Sequence, residues 1–144
     1  MDGAEFDEFG VRFRYPAGWE VEVSEDGPRA TVALQSPSGP AFVMVTLDEE
    51  GPPPAELADE ALAAMREEYP TLEVVPALET IDGHPAIGHD LEFISLDVPN
   101  TCAIRCFRTP RRTVLIFAQW SDIEAEDPEL QIRALIRSLG ETDA

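Results

Sequence analysis

The fold is decided by residues 83 to 120, GHPAIGHDLEFISLDVPNTCAIRCFRTPRRTVLIFAQW. Three apolar runs in this stretch, separated by turn-forming residues, predict three successive antiparallel strands at 86–96, 102–109 and 113–120. The last run is apolar at both alternating sets of positions, as expected of a strand that is covered on both faces. We therefore expect 113–120 to be a central strand. We call the three predicted strands the ribbon, and we expect the rest of the chain to pack around it.

The sequence at the start of the ribbon predicts a turn, an edge strand and a bulge. Asp82 followed by Gly83 predicts a tight hairpin between the ribbon and a preceding strand at 71–81. Pro76 places that preceding strand at an edge of the sheet or beside a bulge. After Phe93 the apolar positions change from one alternating set to the other, which predicts a bulge in the first ribbon strand.

The flanking sequence adds strands and helices. Alternating apolar and charged residues predict two strands around a Pro-Ala-Gly sequence, joined as a hairpin or a bent corner. Two later segments follow prolines and repeat apolar residues at three- and four-residue spacing, which predicts helices with one apolar stripe each. The strands are expected at 11–15, 19–23, 30–35 and 41–47, the last of them interior, and the helices at about 55–69 and 128–139.

These elements predict an α+β fold. Two singly striped helices and strands that are apolar on both faces favour a largely antiparallel meander sheet with one helix on each face, a three-layer α/β/α sandwich. The 144 residues, 44% of them apolar, suffice for one core. We expect a single domain at 11–140, preceded by an acidic tether or frayed first strand at 1–10 and followed by a loose tail at 141–144.

The chain is strongly acidic. It has 29 acidic and 10 basic residues, a formal net charge of −19, and every basic residue is arginine. A GC-rich coding bias explains the missing lysine, and so does adaptation to high salt, where the Debye length falls to about 3 Å at 1 M and repulsion is screened. Salt adaptation predicts a melting temperature that rises steeply with KCl, and a salt-independent melt contradicts it. The acidity argues against nucleic acids and acidic membrane surfaces as partners.

The location of the protein is predicted from what the sequence lacks. Its first residues show neither the basic region nor the apolar core of a signal peptide, and no lipid-attachment cysteine. No segment approaches the roughly 20 apolar residues of a membrane span. We therefore expect a soluble cytoplasmic protein.

The cysteines and histidines are the candidates for metal or redox chemistry. Cys102 and Cys106 lie four residues apart in a predicted strand, roughly 13 Å at the usual rise, which is too far for a disulfide. Their simplest interpretation is as small buried residues, the alternative being a metal site shared with His84 or His89. We expect no metal and no cofactor. Without a phosphate-binding loop or a nucleophile elbow, the sequence predicts no enzyme activity.

One basic cluster departs from the acidic average. Arg105, Arg108, Arg111 and Arg112 lie in or beside the predicted turn between the last two ribbon strands. The cluster is explained by protection of a sheet edge and by balancing nearby acids. The functional interpretation is a guanidinium patch that binds a carboxylate or an acidic segment of a partner protein.

Three motifs resemble those of a known family. FRYPAGW at 13–19, DGHPA at 82–86 and IRSL at 136–139 are similar, in this order, to the PsbP-like superfamily. That superfamily includes the extrinsic protein of photosystem II, a Ran-binding nuclear import factor, and the bacterial proteins DcrB and LpqN. The resemblance implies a fold of this type and a role as an adaptor, lipoprotein or assembly factor, and it implies no catalytic residue.

Two functions follow as hypotheses. The first is a non-catalytic protein-interaction module, an adaptor, assembly factor or small chaperone whose partner is another protein. The alternative is a small-molecule or lipid-binding domain with a pocket between helix and sheet, lined by Trp19, Met65 or Trp120. A homodimer through an exposed edge strand is left open.

Overall fold

The computed structural model of the chain describes residues 3–37, 39–121 and 127–142. Antiparallel strands dominate these residues, and two helices interrupt them. The strands are β1 (Gly3–Glu8), β2 (Val11–Pro16), β3 (Glu20–Asp26), β4 (Arg29–Gln35), β5 (Phe42–Asp48), β6 (Glu73–Ile81), β7 (His84–Ser95), β8 (Val98–Arg108), β9 (Thr113–Ser121) and β10 (Gly140–Glu141), and the helices are α1 (Pro54–Glu68) and α2 (Pro128–Ser138).

The main sheet has seven strands in the order β3-β4-β5-β9-β8-β7-β6. Every pairing in it is antiparallel. The prediction of a central strand at 113–120 is confirmed, because β9 has three strands on each side. β5 is also interior, as expected, and β6 with its Pro76 is an edge strand.

Alternation along β9 separates two cores on opposite faces of this sheet. Val114 and Ile116 belong to the core that includes Ile132 and Leu135 of α2. The intervening Leu115 and Phe117 pack against the other core, to which α1 contributes. The residues of α1 buried there are Leu57, Ala58, Leu62 and Met65.

A second sheet of three strands, β1-β2-β10, was not expected. β1 pairs with β2 along its whole length, so residues 3–8 are a paired strand rather than a tether. The buried Phe6 stacks on Phe13 of β2, with 5.0 Å between ring centroids, and this aromatic contact holds an otherwise acidic strand in place. The predicted tail is also partly paired, because Glu141 lies opposite Val11. Positions 143 and 144 lie outside the described residues.

The α+β class and the mostly antiparallel pairing are confirmed. The second sheet and α2 contribute to the same core, since Phe13 and Ile132 belong to one cluster. The face of the main sheet that carries this core is therefore covered by α2 together with the second sheet, and not by a helix alone. The predicted three-layer sandwich stays a prediction. β2 and β3 belong to different sheets, so the chain at Pro16 and Trp19 makes the bent corner rather than the hairpin.

Two turns of the ribbon differ in how well they were predicted. The hairpin at Asp82 and Gly83 is confirmed, with positive φ angles of 52° and 77°. The next turn lies at Leu96 and Asp97 rather than at 98–100. The predicted bulge is wrong, because β7 pairs with β8 without interruption. Two of the apolar residues that suggested it face solvent near the tip of the hairpin, since Ile94 is 69% and Leu96 is 94% exposed.

Both helices begin as predicted. α1 follows a run of prolines, and Asp127 caps α2 by accepting a hydrogen bond from the Leu130 backbone amide at 3.1 Å. The apolar stripe of α2 includes the buried Ile132, whereas Leu130 is exposed. The acidic loop predicted at 121–127 lies largely outside the described residues. Among those that are described, neither helix combines the length and apolarity needed to cross a membrane.

Candidate binding surfaces

Arg105 is a buried structural residue, not part of a surface patch. It is 4% exposed on β8, and its guanidinium pairs with Glu79 of β6 and lies 2.9 Å from Oδ1 of Asp90 on β7. Burial lowers the pKa of Arg105, but the contacts with Asp90 and Glu79 more than offset this and raise it above its usual value.

A glycine of β7 lies opposite Arg105. At this glycine, Gly88, a side chain would place its Cβ 1.7 Å from the carbonyl oxygen of Ile104. Gly88 thus allows the β8 backbone to approach β7 closely, and from there the Arg105 side chain crosses β7 to reach Glu79. The residue therefore ties β8 to the edge strand β6.

Arg112 is also buried, with 5% of its surface exposed. Its Nη1 donates to the carbonyl oxygen of Gly10 at 3.2 Å and lies 3.6 Å from Glu141 of β10. Its Nε is 3.2 Å from Glu49 but is not aligned for a hydrogen bond, so this contact too is an ion pair. Arg112 therefore joins three parts of the chain: the β1–β2 turn, the segment after β5, and β10.

Arg108 and Arg111 are the two exposed members of the predicted cluster. Arg108 lies against Gly51, where an added Cβ would be 3.3 Å from its Nε, and Arg111 Nη1 donates to the carbonyl oxygen of Thr142 at 3.5 Å. Because side chains alternate along a strand, Arg108 and Arg105 project from opposite faces of the sheet. The four arginines thus do not form one surface, and the prediction of a binding role applies only to Arg108 and Arg111.

The cysteines and histidines make separate contacts. Cys102 and Cys106 are both fully buried under α1, and burial raises the pKa of each thiol to about 12, with Asp90 adding to the effect at Cys102. His84 stacks on a phenylalanine, and His89 Nε2 lies 3.3 Å from Asp59 of α1. Across residues 3–37, 39–121 and 127–142, no group of three or more histidine, cysteine or acidic side chains could hold a metal ion.

The aromatic and sulfur-containing residues considered for a pocket are core residues. Trp19 and Trp120 are buried in the core that includes α2. Met65 is buried in the other core, on the opposite face of the main sheet. These three side chains therefore cannot line one pocket.

On the face of the main sheet that carries α1, one part is covered by none of the residues that the structure describes. α1 packs mainly on β7, β8 and β9, since a helix about 10–12 Å wide covers only two or three strands spaced about 4.8 Å apart. We call the remaining part, on β3, β4 and β5, the open face. It is defined by the residues Glu20, Glu22, Ala33, Gln35, Phe42 and Met44, which line a cavity of about 410 Å³.

The open face is apolar at its centre and acidic along one side. Phe42 and Met44 are only half-buried, and Phe42 stacks on Phe117 of β9 with 5.9 Å between ring centroids. Glu20 and Glu22 are exposed on β3 at the outer border. An apolar centre with a charged border is the usual composition of a surface that binds another molecule.

A second concave surface lies between α2 and β2, with a volume of about 460 Å³. Arg14 and Tyr15 line it on the strand side, and Leu135 and Ser138 line it on the helix side. Ser138 fixes the two elements together, because its Oγ accepts a hydrogen bond from the Arg14 backbone amide at 2.8 Å. We call this surface the α2 groove.

Comparison with known proteins identifies the fold but no family. No protein-family model matches the chain, and no curated protein matches its sequence. Similar solved structures include LpqN, involved in cell envelope biogenesis of Mycobacterium tuberculosis, with a TM-score of 0.62 and 12% identity over 99% of this chain and 91% of that one. The resemblance predicted from the sequence is supported to this extent, and membership of the PsbP-like superfamily stays a prediction.

Two further structures are similar. A Bacteroides thetaiotaomicron protein has a TM-score of 0.64 and 11% identity over 99% of this chain, which spans half (50%) of that protein. A Pseudomonas aeruginosa protein of unknown function has a TM-score of 0.58 and 12% identity, and each chain covers 100% of the other. At such identities the likeness concerns the fold alone. None of the three is described as an enzyme.

Proposed function

We propose that the chain is a non-catalytic protein-interaction module, an adaptor, assembly factor or small chaperone, that binds a segment of another protein on the open face. The observation that carries this proposal is the half-buried apolar centre formed by Phe42 and Met44 in a cavity of about 410 Å³. The description of LpqN by a role in envelope biogenesis, rather than by a reaction, is compatible with a binding role.

The open face is suited to binding in physical terms. Fully burying a phenylalanine or methionine side chain contributes about 1.5–3 kcal/mol. Because Phe42 and Met44 are only half-buried in the folded chain, a partner that covers them gains the free energy of burying the rest of their surface. Phe42 is already held by its stack on Phe117, so little conformational entropy is lost there. Met44 is flexible and adapts to the shape of a partner.

Variants of the open face test this function. A partner is first identified by mass spectrometry after crosslinking in the native host, and its binding is then measured with purified components. Phe42→Ser and Met44→Gln should each weaken binding about tenfold, the loss expected for an anchoring side chain. Leu130→Ser is the matched control, because Leu130 is 62% exposed but lies on α2. Unchanged binding by both open-face variants, with melts showing that they fold, contradicts the proposal.

A small-molecule or lipid-binding function is the second candidate, and the α2 groove favours it. Its volume of about 460 Å³ lies within the range of about 300–1,000 Å³ that ligand sites occupy. Within the described residues the exposed Arg14 guanidinium has no ion-pair partner, so an anionic amphiphile fits the groove best. Native mass spectrometry of protein from its host should then show a bound small molecule that Arg14→Gln loses. A mass equal to that of the bare chain contradicts this function.

We also infer that the domain is PsbP-like and that α1 and α2 cover opposite faces of the main sheet. Two observations support this arrangement: the two helices contribute to separate cores, and the chain resembles LpqN in fold over nearly its whole length. A crystal structure with both helices on one face of the main sheet would contradict it.

A further inference from the structure

β3 is an edge strand whose outer side is available for pairing. Within the described residues it pairs only with β4, in continuous register from Glu20 opposite Gln35 to Asp26 opposite Arg29. It contains seven residues and no proline. An edge of this length offers unpaired backbone amides and carbonyls to any strand that approaches, so proteins usually obstruct such edges.

The obstruction at β3 consists of negative charge. Glu20 and Glu22 lie on the side of the open face, and Glu25 projects from the opposite side. Among the residues that the structure describes, none of these three carboxylates has an ion-pair partner. The nearest basic residue along the sheet, Arg29, is already paired with Asp48 at 3.0 Å. The edge therefore repels acidic strands, including copies of itself, and attracts basic ones.

We propose that β3 accepts a strand of a partner protein in which basic and apolar residues alternate, so that the seven-stranded sheet is extended by one strand. The basic side chains lie opposite Glu20 and Glu22, and the apolar ones lie opposite Val21 and Val23 on the other side. Main-chain hydrogen bonds supply affinity and the alternating side chains supply specificity. The proposal rests on the proposed function, because Glu20 and Glu22 form the border of the open face.

Peptides of the length of β3 test this directly. A peptide of alternating Lys and Val should bind, its Glu and Val counterpart should not, and molar KCl should abolish binding because the Debye length falls to about 3 Å at 1 M. Glu20→Gln combined with Glu22→Gln should weaken the Lys peptide about tenfold or more. Glu56→Gln combined with Glu60→Gln is the matched control, since it removes the same charge from the exposed side of α1. An equal loss in the control pair would overturn the proposal in favour of general charge attraction.

Backbone methylation of the peptide separates strand addition from simple adhesion. In an added strand, the amides of alternate residues face β3 and the others face solvent. One of two peptides methylated on alternate amides should therefore lose binding while the other retains it. If both methylated peptides bind like the parent, the strand does not pair with β3 and the inference fails. The proposed function fails separately, when Phe42→Ser and Met44→Gln leave the identified partner bound.

Discussion

The two edges of the main sheet are protected in different ways. β6 is obstructed by Pro76, which has no amide to donate, and it is tied to the sheet by the buried Arg105, which reaches Glu79 across β7. β3 has neither device and relies on its carboxylates. A proline hinders an incoming strand whatever the charge of that strand or the salt concentration, whereas charge repels only some strands and depends on salt. The comparison shows why β3, rather than β6, is the edge proposed to accept a partner strand.

The comparison is sharpened most by removing Arg105, which ties down β6, and by removing Arg29 of β4, which pairs with Asp48 of β5 and leaves the edge strand β3 unanchored. Arg105→Ala leaves Glu79 and Asp90 unpaired, and since both are more than a third exposed we expect a loss of about 2–3 kcal/mol, below the usual cost for a fully buried pair. Arg29→Ala leaves the buried Asp48 without its arginine but with the hydrogen bond from the Glu50 backbone amide, and since Arg29 is half exposed it should cost less, about 1–2 kcal/mol. Urea denaturation measures both changes. Equal losses would show that the β6 edge has no special anchor.

Alkaline pH should act on the β6 half of the sheet, where both thiols lie. Their pKa is about 12 in the folded protein against a usual value of 9.0, so the folded state keeps these protons when the unfolded chain loses them. The stability that this provides is complete below pH 9 and is lost between pH 9 and about 12. Replacing Cys102 and Cys106 by Ala should flatten the fall in the free energy of unfolding over that range. An unchanged slope in the double variant contradicts the prediction.

Removing the proline from β6 should make this edge of the sheet open to pairing, as β3 is. Pro76→Val supplies the missing backbone amide, and we expect it to self-associate at lower concentrations than the wild-type protein does. Sedimentation velocity over a range of concentrations measures this self-association. Pro40→Val, in the connection between β4 and β5, removes a proline without changing an edge. If the two variants sediment alike, Pro76 does not protect the edge.

The smallest effect is expected at the β7–β8 turn, which lies on the β6 side of the sheet. Leu96 and Asp97 both adopt positive φ, where Asn and Gly are the favoured residues of a two-residue hairpin turn. Leu96→Asn with Asp97→Gly should therefore stabilise the domain by about 1 kcal/mol. Asp82→Asn, in the well-formed turn before β7, should change the melting temperature very little. A destabilised double variant would mean that the exposed Leu96 makes a contact that the turn needs.

Local patterns were enough to predict much of the fold. The central position of β9 follows from a run that is apolar on both faces, and the hairpin at Asp82 and Gly83 follows from its residue types. The three-stranded sheet could not be predicted in this way, because Val11 pairs with Glu141 and no local pattern records a contact so distant in sequence. The misplaced turn has a different cause, since Leu96 is an unusual residue for a left-handed conformation.

The candidate site was harder to predict than the fold. Arg105 and Arg108 are close in sequence, but the alternation of a strand already indicates that they face opposite sides. Their burial could not be foreseen, because it depends on distant acids such as Glu79. The open face did leave a signal: one helix about 10–12 Å wide cannot cover a broad sheet whose interior strand at Phe42 is apolar on both faces.

Gly88 has a consequence for how the sequence can change over generations. The 1.7 Å separation between a Cβ at this position and the Ile104 carbonyl oxygen leaves no room for any other residue while β7 and β8 keep their spacing. Gly88 should therefore be nearly invariant among descendants of this chain, although it binds nothing. If the chain binds a partner as proposed, Phe42 and Glu22 should instead vary together with the residues that they contact in that partner. Invariance at Gly88 would then reflect the spacing of two strands, whereas covariation with a partner would reflect the proposed function.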